Sequence, residues 1–377
     1  LQGKKLALVA NHTSLLPDGT HMVDAFIQEG LDVVKVFAPE HGFRGTADAG
    51  ELVESGVDKK TGLMVLSLHG KHKKPTAKQL EDVDLVVFDI QDVGTRFYTY
   101  ISTMSYVMEA CAESNVPFMV LDRPNPNGWY VDGPVLESAH SSFIGMHEIP
   151  IVHGMSIGEY AQMVNGEGWL KNGVKVDLTV VPCEGYERSM RWDETGMDWI
   201  PPSPNLASEY SAYLYAAICW FEPTPLSLGR GTDSAFTVLG APWFKPEVFF
   251  TARQTESLGR LPGGLGAEIT SFTPRSLPGK STYPKFQDKA CEGLVFRDRV
   301  DGKSLFITGL SLLAEAYRQH QAEGMKGFFT KGFERWPGNT ELKAQIEAGT
   351  PAEEIYASWQ DDVEAFKTMR KPYLIYE

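Results

Sequence analysis

A chain of 377 residues, 42% hydrophobic and 22% charged, is long enough for one large and one small domain, and its composition is that of a globular protein. A formal net charge of −14 argues against a broad basic surface for nucleic acid, so an anionic small ligand has to be met by local arginines. No apolar run approaches the roughly 18 residues that a transmembrane helix requires.

The chain opens at Leu1-Gln2-Gly3-Lys4, almost directly in a strand, which reads as a mature chain whose signal segment has been removed. The first strand, Lys5 to Ala10, ends at Asn11-His12-Thr13, and a helix follows from Met22 to Glu29. Val33 to Ala38 is a second strand, ending at Pro39-Glu40-His41-Gly42-Phe43-Arg44-Gly45, and Leu63 to Ser67 a short third. Leu85 to Ile90 is continuously apolar except for Asp89, as in a strand buried on both faces, and runs into Gln91-Asp92-Val93-Gly94-Thr95-Arg96-Phe97-Tyr98. A helix from Thr99 to Glu113 leads to the strand Pro117 to Leu121, which ends at Asp122-Arg123-Pro124-Asn125. Ser156-Ile157-Gly158-Glu159 is a capping box opening a helix to Val164; a strand at Val176 to Val181 and a helix at Ser208 to Trp220 follow.

That alternation predicts an α/β, Rossmann-like, doubly wound and mostly parallel sheet over residues 1–235. After Gly240, Pro and Gly become frequent. Strand pieces at Ile269 to Phe272 and Gly293 to Asp298 are followed by helices at Ser304 to His320, Thr340 to Ala348 and Pro351 to Met369, which predicts a smaller α+β domain over 236–377.

Four strands thus deliver acid, amide or guanidinium groups to one sheet edge. Ligands of open α/β folds bind in the crevice outside those strand ends. No G-x-G-x-x-G follows the first strand and no G-x-x-x-x-G-K-[ST] occurs, which disfavours nucleotide binding. Gly154-Met155-Ser156-Ile157-Gly158 spells a nucleophile elbow, but Ser156 reads as a helix cap. Asp89, Asp92 and Glu40 could together hold a hard cation; no H-E-x-x-H is present, and neither a metal nor a cofactor is expected. The four cysteines, Cys111, Cys183, Cys219 and Cys291, read as free thiols, with one disulfide as the alternative. Glu40, between a restraining Pro39 and a permissive Gly42, suits a general acid with a raised pKa. Phe97, Tyr98, Tyr100, Trp129, Tyr130, Trp220 and Phe221 near polar strand ends suit a sugar site, or alternatively the core.

The segments Pro39 to Gly45, Phe88 to Tyr100, Asp122 to Pro126, His153 to Glu159, Pro202 to Asn205, Ser227 to Thr232 and Arg370 to Tyr376 resemble the bacterial exo-β-N-acetylmuramidases over essentially the whole chain. The resemblance implies a glycoside hydrolase that releases N-acetylmuramic acid from the non-reducing end of peptidoglycan fragments. It implies a cleft between the two domains, Glu40 as the catalytic residue and an extracytoplasmic (periplasmic or secreted) location. A non-catalytic muropeptide-binding protein and a metal-dependent hydrolase are the alternatives. Where E-G-T-N is expected, Glu222-Pro223-Thr224-Pro225 stands, and the two prolines stiffen the loop and remove two donors.

Glycoside hydrolysis usually needs a second carboxylate, for which Asp92, Asp89 and Glu222 compete in that order; the substrate's own acetamido group is a further possibility. Arg44, Arg96, Arg123 and Arg230 are candidates for the lactyl carboxylate. Asn11, His41, Gln91, Tyr98, Asp122, Asn125, His153 and Asn205 complete the candidate substrate ligands.

Overall fold

Six parallel strands and a two-residue antiparallel edge piece form the first sheet of the computed structural model, which describes residues 1–44, 55–250 and 258–377. The strands are β1 (Lys5–Ala10), β2 (Asp32–Ala38), β3 (Gly56–Val57), β4 (Met64–Ser67), β5 (Leu85–Asp89), β6 (Phe118–Leu121) and β7 (Leu178–Val181), in the order β3-β4-β2-β1-β5-β6-β7. Without the edge piece β3, the parallel strands stand in the order third, second, first, fourth, fifth, sixth, which is that of a Rossmann fold.

The faces follow from strand alternation. Leu6, Leu8, Val36 and Val87 pack with Met22 and Val23 of α1 (Met22–Gln28). Ala7, Val9, Val86 and Phe88 face the other way, toward Leu80 of α2 (Ala77–Leu80), Ile101 and Met104 of α3 (Tyr100–Ser114) and Tyr160 of α4 (Ile157–Gly166). Being covered on both faces, β1 and β5 are apolar at nearly every position, as their sequences predict.

The second sheet is antiparallel: β8 (Val238–Ala241), β9 (Gly259–Arg260), β10 (Gly266–Phe272) and β11 (Cys291–Phe296), in the order β8-β11-β10-β9. Strand β8 is not anticipated by the sequence because a glycine interrupts it. Gly240 pairs with Gly293, and a Cβ on Gly240 would meet the Glu292 carbonyl oxygen at 2.3 Å, so this crossing requires glycine.

Helices α5 (Glu209–Ile218), α6 (Gly302–Ala322), α7 (Glu341–Ala348), α8 (Ala352–Ala357) and α9 (Gln360–Arg370) complete the fold. The single helix expected at Pro351 to Met369 is broken at Ser358-Trp359. The break brings Tyr356 Oη (2.9 Å), Trp359 Nε1 (3.1 Å) and Gln360 Nε2 (3.3 Å) together on the buried Asp132 carboxylate. One continuous apolar cluster runs from Ala7 and Phe88 through Trp220 and Leu239 to Leu313 and Phe366, so the two sheets share a core. All four cysteines are free, and no described helix is long and apolar enough to cross a membrane.

Candidate active site

The chain reverses its direction of travel across the sheet between β1 and β5, where Ala10 pairs with Asp89. Parallel strands leave a crevice at such a point, and the residues just beyond both strands line it. Asn11 Nδ2 donates to Tyr100 Oη at 2.9 Å, and its Oδ1 accepts from the Thr13 backbone and hydroxyl at 2.9 and 2.6 Å. Thr13 Oγ1 in turn accepts from the Gln91 backbone at 2.9 Å. Tyr100 Oη donates to the Pro202 carbonyl at 2.7 Å, which ties the Pro202–Asn205 motif to the same edge. Gln91 Nε2 holds the Asp92 and Pro124 carbonyls at 2.8 Å each, while its Oε1 is buried without a partner. Outside Gln91 lies a cavity of about 300 Å³, lined also by Thr13, Leu16, Arg123, Trp192 and Met197; Glu40 and Glu222 are not part of it.

Glu40 follows β2, the neighbour of β1. Its turn is closed by Gly42 N–H to the Pro39 carbonyl at 3.1 Å, with His41 buried in a left-handed conformation, φ 70°. A non-glycine residue at positive φ stores a small strain that the surrounding structure must hold, and such positions gather at functional sites. Thr99 is the N-cap of α3, yet makes no capping bond. Its hydroxyl donates to Glu40 Oε2 at 2.9 Å instead. Glu40 is half-buried beside Tyr100. Gly45, the end of this motif, lies outside the described residues.

A floor of phenols leads away from Glu40. Tyr100 packs edge-on against Tyr98 at 4.9 Å between ring centroids, and Tyr98 against Tyr215 at 6.0 Å. Tyr215 in turn feels the charges of Glu222 and Arg230. Glu222 follows a 3-10 turn at Cys219–Phe221 that continues α5. Arg230 Nε donates to Glu222 Oε1 at 2.8 Å, and its guanidinium lies 4.9 Å from the Phe236 ring. The two side chains keep 29% (Arg230) and 22% (Glu222) of their surface open to solvent. Arg230 and Lys285 hold the Glu222 carboxyl below its ordinary value against the opposing effect of burial. Two half-open carboxylates, Glu40 and Glu222, thus stand at the two ends of one buried aromatic floor.

The other two acids are arranged differently. Asp92 is buried. Its Oδ2 accepts from Gly94 N–H at 2.7 Å, its Oδ1 has no partner, and burial raises its pKa to about 7. Asp89 is paired through both oxygens with Arg123, Nη2 to Oδ2 measuring 3.0 Å.

Several other residues named from the sequence are committed to holding the fold. Arg96 is completely buried and donates to the carbonyls of Pro134 (2.7 Å), Ile149 (2.8 Å), Trp336 (2.7 Å) and Pro337 (2.7 Å), which leaves no face for a ligand carboxylate. Asn125 bonds the Met155 carbonyl and Asn127 N–H at 2.8 Å each, beneath Gly94, where φ is 75° and a Cβ would strike the amide. Asp122 accepts from Ser156 Oγ (2.6 Å), Gly158 N–H (2.8 Å) and Tyr376 Oη (2.7 Å). His153 is buried, its pKa pushed down to about 3, and its carbonyl accepts from Arg370 at 3.1 Å. Ser156 caps α4 in the expected capping box with Glu159, which accounts for the elbow-like letters. Arg44 is forked onto Asp58 at 2.8 and 3.3 Å, with Asp24 at 3.6 Å. Asn205 Nδ2 donates to the Lys280 carbonyl at 2.6 Å, and its Oδ1 is buried unpartnered.

One site residue escapes sequence reasoning altogether. Lys285 Nζ reaches the carbonyls of Glu222 (2.6 Å), Thr224 (2.8 Å), Leu226 (2.9 Å) and Phe221 (3.3 Å), so a buried ammonium organises the Glu222 loop. Only its place in Ser281-Thr282-Tyr283-Pro284-Lys285, a short polar stretch of no recognisable motif, marks it. Among the described residues, no group of three or more His, Cys, Asp or Glu is arranged to hold a metal ion.

Family models described as "Exo-beta-N-acetylmuramidase NamZ", N-terminal and C-terminal, match residues 6–210 and 213–376. The chain belongs to the NamZ family. It is 40% identical over 380 residues to the peptidoglycan beta-N-acetylmuramidase NamZ of Bacillus subtilis strain 168, covering 100% of this chain and 88% of that protein. Two DUF1343 family proteins of Bacteroides fragilis share the architecture. One has 40% identity and a TM-score of 0.83, the other 30% and 0.84; each alignment covers 100% of this chain and 95% of the relative. The two family models meet near the start of α5, whereas the antiparallel sheet itself begins at Val238.

Proposed function

We propose that this protein hydrolyses the terminal β-N-acetylmuramyl bond at the non-reducing end of peptidoglycan fragments, as an exo-acting glycoside hydrolase. The observation that carries the reading is the pairing of two half-open carboxylates across one aromatic floor: Glu40, held by Thr99, and Glu222, held by Arg230 and the Lys285 cage. Glu40 gives its proton to the glycosidic oxygen as the C1–O bond breaks. Ionised Glu222 faces the positive charge that develops at the anomeric carbon; water supplies the oxygen that ends on C1, and the proton it loses replaces the one that Glu40 gave.

Glu222 is preferred to Asp92, which is buried and half-neutral near pH 7, and to Asp89, whose charge is taken by Arg123. Of the four candidate arginines, Arg230 suits the lactyl carboxylate best. Its Nε alone is engaged among the described residues, and the rest of the fork remains available for bidentate recognition. The location of such a substrate supports an extracytoplasmic, periplasmic or secreted, site of action.

The test is hydrolysis of para-nitrophenyl β-N-acetylmuramic acid beside the N-acetylglucosamine analogue, with and without chelator. Release from the muramic acid compound alone, unchanged by chelator, is the expected result. Saturable binding without release would instead mark a muropeptide-binding protein, and loss of release with chelator a metal-dependent hydrolase.

A further inference from the structure

Tyr283 is 91% exposed, well beyond any other large hydrophobic side chain among the described residues, of which the next is Val57 at 64%. The backbone around it is firmly held. Ser281 and Pro284 on either side are buried, Ser281 N–H bonds the Leu277 carbonyl at 2.7 Å, and Leu277 N–H returns to the Ser281 carbonyl at 2.9 Å. Asn205 anchors the Lys280 carbonyl, and Lys285 anchors the far end of the segment in the carbonyl cage of the Glu222 loop. Pro284 packs on Gly231, next to Arg230. The loop therefore spans from the Pro202–Asn205 segment, which Tyr100 ties to the Glu40 side, to the Glu222–Arg230 pair on the other. A fixed loop that turns a large aromatic ring to water gains nothing for folding from that ring.

We infer that Tyr283 is a stacking platform for the sugar on the leaving-group side of the scissile bond. The inference rests on the muramidase reading and extends it to the remainder of the substrate. An exo-acting enzyme encloses the terminal residue, so the rest of the fragment leaves past the surface loops around the site, and the Tyr283 segment is anchored beside the Glu222–Arg230 pair through Lys285 and Pro284. The apolar face of a pyranose covers an aromatic ring well, and a phenol at the rim can also hydrogen-bond its hydroxyls.

The experiment compares wild type with Tyr283→Ala, Tyr283→Phe and Tyr283→Trp on two substrates. One is the disaccharide of N-acetylmuramic acid β-linked to N-acetylglucosamine; the other is β-N-acetylmuramyl fluoride, whose leaving group has no ring. Tyr283→Ala is expected to lower kcat/KM on the disaccharide about tenfold, mainly through KM, and to change the fluoride less than twofold. The Phe and Trp variants are expected to stay within about threefold of wild type on both. Equal losses on the two substrates, or no loss on either, would overturn the assignment. If wild type cleaves neither substrate, the muramidase reading falls. Calorimetric binding of the disaccharide then decides the platform separately: weaker binding by Tyr283→Ala supports it, and affinity equal to wild type, including no binding by either protein, overturns it.

Discussion

Three neighbours help to fix Glu40: Pro39 before it, left-handed His41 after it, and a Thr99 hydroxyl taken from its own helix cap. Glu40→Gln keeps the shape and the Thr99 bond but has no proton to give. Its kcat on an N-acetylmuramyl glycoside is expected to fall by about 10²- to 10⁴-fold with little change in melting temperature, measured by steady-state kinetics beside thermal denaturation. Asp92 makes the opposite kind of contribution. Burial raises its folded pKa to about 7, far above its unfolded value, so the native state keeps a proton that the unfolded chain has released. The stability this group contributes is complete below about pH 4 and is lost as pH rises to about 7. Asp92→Asn is therefore expected to gain on wild type, by on the order of a few kcal/mol, between pH 4 and pH 7 in paired urea denaturations. A gap that does not change with pH would refute it. Glu40, Asp92 and Glu222 were legible as acids at strand or helix ends. Their ranking was not, because it depends on what lies across from each: Arg123 neutralises Asp89, apolar packing buries Asp92, and Lys285, 63 residues from Glu222, cages the loop that carries it.

At the scale of elements, periodicity located the long pieces because burial dictates them. The strands β1 and β5 are apolar runs with both faces covered, β2 and β6 largely so, and Ser156 caps its helix as its spacing predicts. What escaped is short or governed by contacts from afar: β8 with its interior Gly240, the two-residue strands β3 and β9, and the break at Trp359 set by Asp132. Motifs that sequence reading grouped as a site also divide here. The His153–Glu159, Asp122 and Arg370–Tyr376 segments meet one another: Glu159 Oε1 accepts from Ile375 and Tyr376 N–H at 2.7 and 3.1 Å, and Arg188 closes the group. Arg96 does similar work between the Pro134–Ile149 region and Trp336-Pro337. Arg96→Met removes a buried guanidinium from four carbonyls, so it is expected to cost at least about 3 kcal/mol in chemical denaturation, while enzyme that remains folded keeps its KM. A raised KM without lost stability would return Arg96 to the list of substrate ligands.

Across the whole molecule, two sheets with different connectivity behave as one body because the apolar cluster passes between them without interruption. Heating is expected to give a single calorimetric transition, with calorimetric and van't Hoff enthalpies in agreement; two resolved transitions would mean that the sheets unfold independently. The Tyr376–Asp122 bond has a different consequence, which concerns birth rather than stability. The two residues are 254 positions apart, and at ribosomal speeds of roughly 5–20 residues per second the strand end at Asp122 waits on the order of ten to fifty seconds for its partner to be synthesised. Until then Asp122, Glu159 and Arg188 lack the segment that joins them. The Asp122–Glu159–Arg188 group is therefore completed only after Tyr376 has been made, however early the first sheet collapses.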